Sequence, residues 1–168
     1  MPPLGQSLLS FESILFEEIE EFTQSGLPII YQSFQLESIV KIKLKNTYWN
    51  ANFTFLDTRW PTIDELTTMK ANGINGLGIW KNRIVEVDTE NRVTSVRRDK
   101  LQEVQSYGIE NIHVYTFRNE NKYIAFDFEQ DYSQELEFWW KNIPEVNGYF
   151  CDFPKSVVRA WKNFENSC

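Results

Sequence analysis

The sequence predicts an α/β fold built on a parallel sheet, and three observations carry that prediction. Short runs rich in β-branched and aromatic residues recur along the chain, a helical or helix-like segment follows each, and the breaks between them are short and often closed by glycine. A length of 168 residues fits one domain spanning 1–168, and no low-complexity tract or linker divides it.

Taken in order, Leu8, Phe11, Leu15, Ile19 and Phe22 recur at three- and four-residue spacing and predict one apolar helical face. Ser10 suits its N-cap, and Gly26 its stop after an end near Gln24. Residues 29–34 (IIYQSF) predict a buried strand and 36–45 a helix, although Ile42 and Leu44 also fit strand alternation. Residues 51–56 (ANFTFL) predict the second strand. Thr62 with Glu65 forms a capping-box pattern that opens a helix to about Asn72, closed by Gly73.

Residues 74–80 (INGLGIW) predict a glycine-interrupted strand, and a helix follows from about Ser95 to Tyr107, ended by Gly108. Residues 112–117 (IHVYTF) form the clearest strand pattern. A polar and aromatic loop, 118–131, leads to a helix over 132–142. Residues 148–151 predict the last strand, and Pro154 opens a final helix through Trp161.

Composition narrows the function. The formal charge of −7 opposes a nucleic-acid partner, because phosphate backbones need a basic surface. No apolar run approaches the roughly 20 residues that span a bilayer. The first ten residues, MPPLGQSLLS, lack a basic region followed by a long apolar core, so no signal peptide is read and a soluble chain of unassigned compartment is expected. Cys151 and Cys168 carry neither zinc spacing nor a pairing pattern.

Three segments, in order, resemble the glycerophosphodiester phosphodiesterase family. Residues 28–34 (PIIYQSF) look like its fourth strand, 113–121 (HVYTFRNEN) its seventh strand and exit loop, and 147–154 (NGYFCDFP) its eighth. A weaker glycine-rich match, 71–81 (ANGINGLGIWK), resembles the sixth. The Tyr-Thr-Phe-Arg form of the seventh strand is similar to the subgroup related to periplasmic and secreted enzymes. The resemblance implies an incomplete TIM (β/α)8 barrel of about five βα units, strands four to eight, with its site at the C-terminal ends of the strands. It also implies hydrolysis of glycerophosphodiesters to an alcohol and glycerol 3-phosphate, with a divalent cation, Ca or Mg. The family's His-Arg-Gly, its Glu-x-Asp metal pair and its further Glu ligand are not found in this sequence. The expectation is therefore an incomplete chain that binds no cation and is inactive alone. The alternative is a non-catalytic half-barrel that binds a ligand or a protein. Removing three strands from a barrel leaves two open edges, along which edge-to-edge self-association can occur.

The same resemblance singles out substrate-binding residues. Phe34 and Tyr115 fall where the family places an aromatic wall beside glycerol, though both also suit plain barrel packing. Arg118 follows a strand end, where it can reach a phosphate oxygen or simply stay solvated. Asn119 is the weaker neighbour. His113, the single histidine, should share a face with Tyr115 and is read as a packed core residue, not a catalyst. Alternation sends only one of Gln32 and Ser33 inward. Asp152 is expected to organise the last loop and cap the final helix. Cys151 stands where the family usually has Thr.

Overall fold

The structure, a computed structural model, describes residues 13–15, 17, 18, 22, 25, 27–45, 51–120, 124–128 and 131–166. Of the first expected helix, residues 13–15, 17, 18 and 22 have helical backbone. Leu8, Phe11, Ile19, Ser10, Gln24 and Gly26 lie outside the described residues, as do Asn121 and Cys168.

The described elements run β1 (Ile29–Ser33), α1 (Leu36–Lys45), β2 (Ala51–Asp57), α2 (Ile63–Ala71), β3 (Gly76–Trp80), α3 (Lys81–Ile84), β4 (Val85–Val87), β5 (Val93–Val96), α4 (Arg98–Ser106), β6 (Asn111–Phe117), α5 (Tyr132–Asn142), β7 (Gly148–Cys151) and α6 (Pro154–Glu165), with a 3-10 turn at Phe126–Phe128. Strands β1, β2, β3, β6 and β7 form one five-stranded sheet in that order, every pairing parallel. Strands β4 and β5 make a separate antiparallel hairpin.

Period-2 alternation decides which side of the sheet is covered. Tyr31, Phe53, Phe55, Leu77, Ile79, Ile112, Val114 and Phe117 are buried in one core. The helices bring Ile39, Ile42, Leu66, Met69, Leu101, Val104, Leu136 and Trp139 to that core. Fully burying such a side chain contributes about 1.5–3 kcal/mol each. The other face is less covered: Ile30 is 49% and Phe34 58% exposed. Glycine sets its register. A Cβ at Gly76 would stand 2.8 Å from the Phe53 carbonyl oxygen and closer still to Thr54 Oγ1, one at Gly78 would overlap Leu56, and one at Gly148 would overlap the His113 ring.

The helix ends follow local chemistry. The Thr62 hydroxyl accepts from the Glu65 N–H at 3.2 Å, and Glu65 Oε2 accepts from the Thr62 N–H at 2.7 Å, so the capping box is complete. Gly73 and Gly108 take positive φ, +62° and +82°, where a side chain is strained. Asp131 caps α5 by accepting from the Ser133 N–H at 2.8 Å.

Four expectations need correction. The helix expected from Ser95 begins at Arg98, because Val93–Val96 pairs with Val85–Val87 instead. The turn joining them folds around Asp88, whose Oδ1 accepts from the Glu90 and Arg92 N–H groups while Asn91 takes φ 61°. Asp152 does not cap α6 either: the cap position is Phe153, with no side-chain hydrogen bond. Strand β3 also starts at Gly76, two residues later than expected, and α6 extends beyond Trp161 to Glu165.

Gly76→Ala is expected to destabilise the chain by about 1–3 kcal/mol, because the clash is partly with backbone. A denaturant midpoint equal to that of the parent chain would contradict the packing described for the open face.

Candidate functional site

The C-terminal ends of the parallel strands bring several predicted residues together. Phe34 follows β1 and meets Tyr115 of β6 edge-on, with centroids 6.0 Å apart and planes at 84°. The Tyr115 hydroxyl donates to the Asp57 carbonyl at 2.7 Å, crossing β3 to the end of β2. Burial, then the Asp57 charge, push that phenol up to about 12, so it stays protonated and the ring is tethered.

Arg118 is held by carboxylates on two sides. Its Nε lies 3.0 Å from Asp152 Oδ2 and its Nη2 lies 3.1 Å from Glu120 Oε1. Asp152 therefore engages Arg118 and not a helix end. Asn119 points elsewhere. It is exposed and lines a separate cleft with Asp131, Ser133, Ser156 and Arg159, apart from Phe34 and Tyr115.

His113 and Tyr115 lie two residues apart on β6 and share a sheet face. The His113 ring lies 5.6 Å from Phe150, edge to face, and burial lowers its pKa, which favours the neutral imidazole. Gln32 is exposed on the open side of β1, whereas the Ser33 hydroxyl accepts from the Gln35 N–H at 3.0 Å.

Sequence reasoning missed a cavity of about 510 Å³ beside these residues. Trp80, Tyr115, Arg118, Phe128 and Phe138 line it, and the β4–β5 hairpin contributes Val85, Val87 and Val93. The hairpin is pinned over it: Asn91 Nδ2 donates to the Ile124 carbonyl at 3.2 Å, and the Val93 N–H donates to Asp127.

At the cavity floor Lys81 Nζ lies 2.6 Å from Glu135 Oε1, with side chains only 9% and 4% exposed. Lys81 also lies 5.2 Å from the Phe117 ring centroid. Burial raises the Glu135 pKa against the opposing pull of Lys81. One signal was readable: Tyr132, Glu135, Leu136 and Trp139 share the buried face of α5, and a carboxylate at such a position needs a cation. Its identity was not readable, because Lys81 is 54 residues away.

This arrangement can bind and orient a small polar molecule through aromatic faces, tethered donors and paired cations. The divalent cation implied by the resemblance is a different matter. Such ions take several oxygens, chiefly carboxylates. Among the described residues no group of three His, Cys, Asp or Glu side chains could hold one, so these residues do not fit it. Among them, no helix is long and apolar enough to cross a membrane.

Parallel strands in sequential order, with helices on one side and side chains gathered at the strand C-termini, make this a half-barrel of the (β/α)8 type. Its likeness to known proteins is specific. Over 82 residues, 49% of the chain, it is 35% identical to the glycerophosphodiester phosphodiesterase GDPD6 of Arabidopsis thaliana. It spans 21% of that protein. The structure also matches, with TM-score 0.55 and 10% identity, a solved structure from Galdieria sulphuraria that carries the name of the same enzyme family. That match covers 95% of this chain and 54% of the other. No protein-family model matches the chain. The sequence match supports the resemblance to glycerophosphodiester phosphodiesterases, and the structural match shows a partial barrel of that fold.

Glu135→Gln is expected to destabilise the fold by about 3–5 kcal/mol, since it leaves Lys81 buried without its counter-charge. Replacing both residues with apolar ones of similar volume should recover most of the loss. Thermal unfolding of the single and double variants checks this, and a single variant as stable as the parent would contradict it.

Stability should also respond to acid through Glu65. Its hydrogen bond with Arg59, at 2.8 and 2.9 Å, is the main reason its pKa falls to about 2. A depressed carboxyl contributes stability that is present above its unfolded value, near 4.5, and lost as pH falls toward 2. Glu65→Gln should flatten that part of the pH–stability curve; an unchanged curve counts against the role.

Proposed function

We propose that the complete protein hydrolyses glycerophosphodiesters to an alcohol and glycerol 3-phosphate. In this reading the chain supplies strands four to eight, the back wall of the pocket. The observation that carries it is the Phe34–Tyr115 pair at the strand C-termini, within a sheet whose chain is 35% identical over 82 residues to a protein of that name. Phe34 and Tyr115 pack on the glycerol carbons. Arg118, oriented by Asp152 and Glu120, faces the phosphate, and Asn119 belongs to the adjoining loop.

Among the described residues β1 and β7 each pair on one side only. Three further βα units seated on those edges would close the cylinder. The divalent cation and the proton-transferring groups belong to side chains beyond the described residues. The subgroup related to periplasmic and secreted enzymes is part of the same reading.

Two proteins test it: the 168-residue chain, and that chain extended by the coding sequence upstream of Met1. With glycerophosphocholine and Mg²⁺ or Ca²⁺, the extended protein should release glycerol 3-phosphate and the chain alone should not exceed buffer. Phe34→Ala in the extended protein should raise KM about tenfold with little change in kcat, the mark of lost uniform binding. Metal-dependent release by the chain alone, or none by an extended protein carrying the family's histidines and carboxylates, overturns the proposal.

A further inference from the structure

Arg118, the cation marked by the seventh-strand motif, has its guanidinium engaged by Asp152 and Glu120. Arg83, in α3, is placed differently. Its Nε–H donates to the Thr58 carbonyl at 2.9 Å, and its guanidinium carbon lies 5.8 Å from the Trp80 ring centroid. A hydrogen bond and an aromatic contact together restrict the plane of the group. Neither uses the Nη hydrogens, and among the described residues no carboxylate pairs with Arg83.

Its anchor matters more. Thr58 directly follows Asp57, whose carbonyl receives the Tyr115 hydroxyl. Neighbouring α carbons are about 3.8 Å apart, so Arg83 and Tyr115 are moored to adjacent residues at the end of β2. Tyr115 in turn touches Phe34, and Thr58, Trp80, Arg83 and Tyr115 line the same cavity. Tyr115, Arg83 and Trp80 thus share one cavity wall, with Arg118 also on the lining and Phe34 beside Tyr115.

A guanidinium fork held flat, with its outer N–H groups uncommitted, matches two oxygens of a phosphate. Aromatic faces beside it accept carbon-bound hydrogens. We infer that Arg83 binds the phosphate of a glycerol phosphate group whose carbons lie on Tyr115 and Phe34. The glycerol part rests on the function proposed above; the anion part rests on the geometry of Arg83.

The test is an NMR titration of the isotope-labelled 168-residue chain with glycerol 3-phosphate, inorganic phosphate and glycerol. Glycerol 3-phosphate should shift the Arg83 Nε–H and Trp80 indole signals. Arg83→Gln should weaken its binding about tenfold or more, the loss equivalent to one charge-assisted contact. Arg83→Lys, which keeps the charge and loses the fork, should weaken it a few-fold and decides the matter if the glutamine variant misfolds. Lys162→Gln, which removes one charge from the far end of α6, should change nothing. Undiminished affinity in both Arg83 variants, or no binding by the parent chain, overturns the assignment. Inorganic phosphate binding as tightly as glycerol 3-phosphate overturns its glycerol part. Turnover by the extended protein decides the enzymatic reading separately, so the two can fail independently.

Discussion

The close approach of parallel strands on the open face is the constraint on which the site depends. Gly76, Gly78 and Gly148 stand where Thr54, Leu56 and His113 need room. A bare backbone in those three places lets β2, β3, β6 and β7 pair in a register that carries Tyr115 to the level of Trp80 and the end of β2. Parallel pairing is slanted and evenly spaced, so a one-residue slip would turn every such side chain to the other face. The aromatic contact between Phe34 and Tyr115, and the tether from Tyr115 to Asp57, exist only in this register.

Above that frame the loops are fixed by charge. Asp57, Arg59, Glu65 and Thr62 form one connected network between β2 and the start of α2. Asp152 and Glu120 hold Arg118, joining the exit of β6 to the exit of β7. Lys81 and Glu135 join the exit of β3 to α5 under the cavity. Each linkage spans different elements at the same end of the sheet. On exposed helix faces, i,i+4 pairs such as Lys41–Glu37 contribute little.

Much of the fold was legible because local patterns and the tertiary structure agree. The Thr62–Glu65 capping box, the glycine stops at 73 and 108, and the runs read at 29–34, 51–56 and 112–117, each within one residue of the observed strand, depend on neighbours within a few residues. The β4–β5 hairpin was not legible. Its strands are three and four residues long and carry Glu86, Thr94 and Ser95, too short for alternation to register, although Asp88 and Asn91 mark its turn. The site divided in the same way. Phe34 and Tyr115 emerged from strand motifs, and the structure does bring them together. The partners of Arg118, Lys81 and Arg83 could not be read, because they arise between segments distant in sequence or across loops with no periodic signal.

Tyr115 and Arg83 hang from consecutive carbonyls, and this has a mechanical consequence. Thr58 joins the two peptide planes that carry those carbonyls. Rotation about the Thr58 backbone bonds changes the angle between the two acceptors, and so shifts the guanidinium relative to the phenol. Arg59 and Glu65 clamp the residues immediately downstream. That clamp restrains the chain just beyond the two acceptors, and with it the room for such an adjustment.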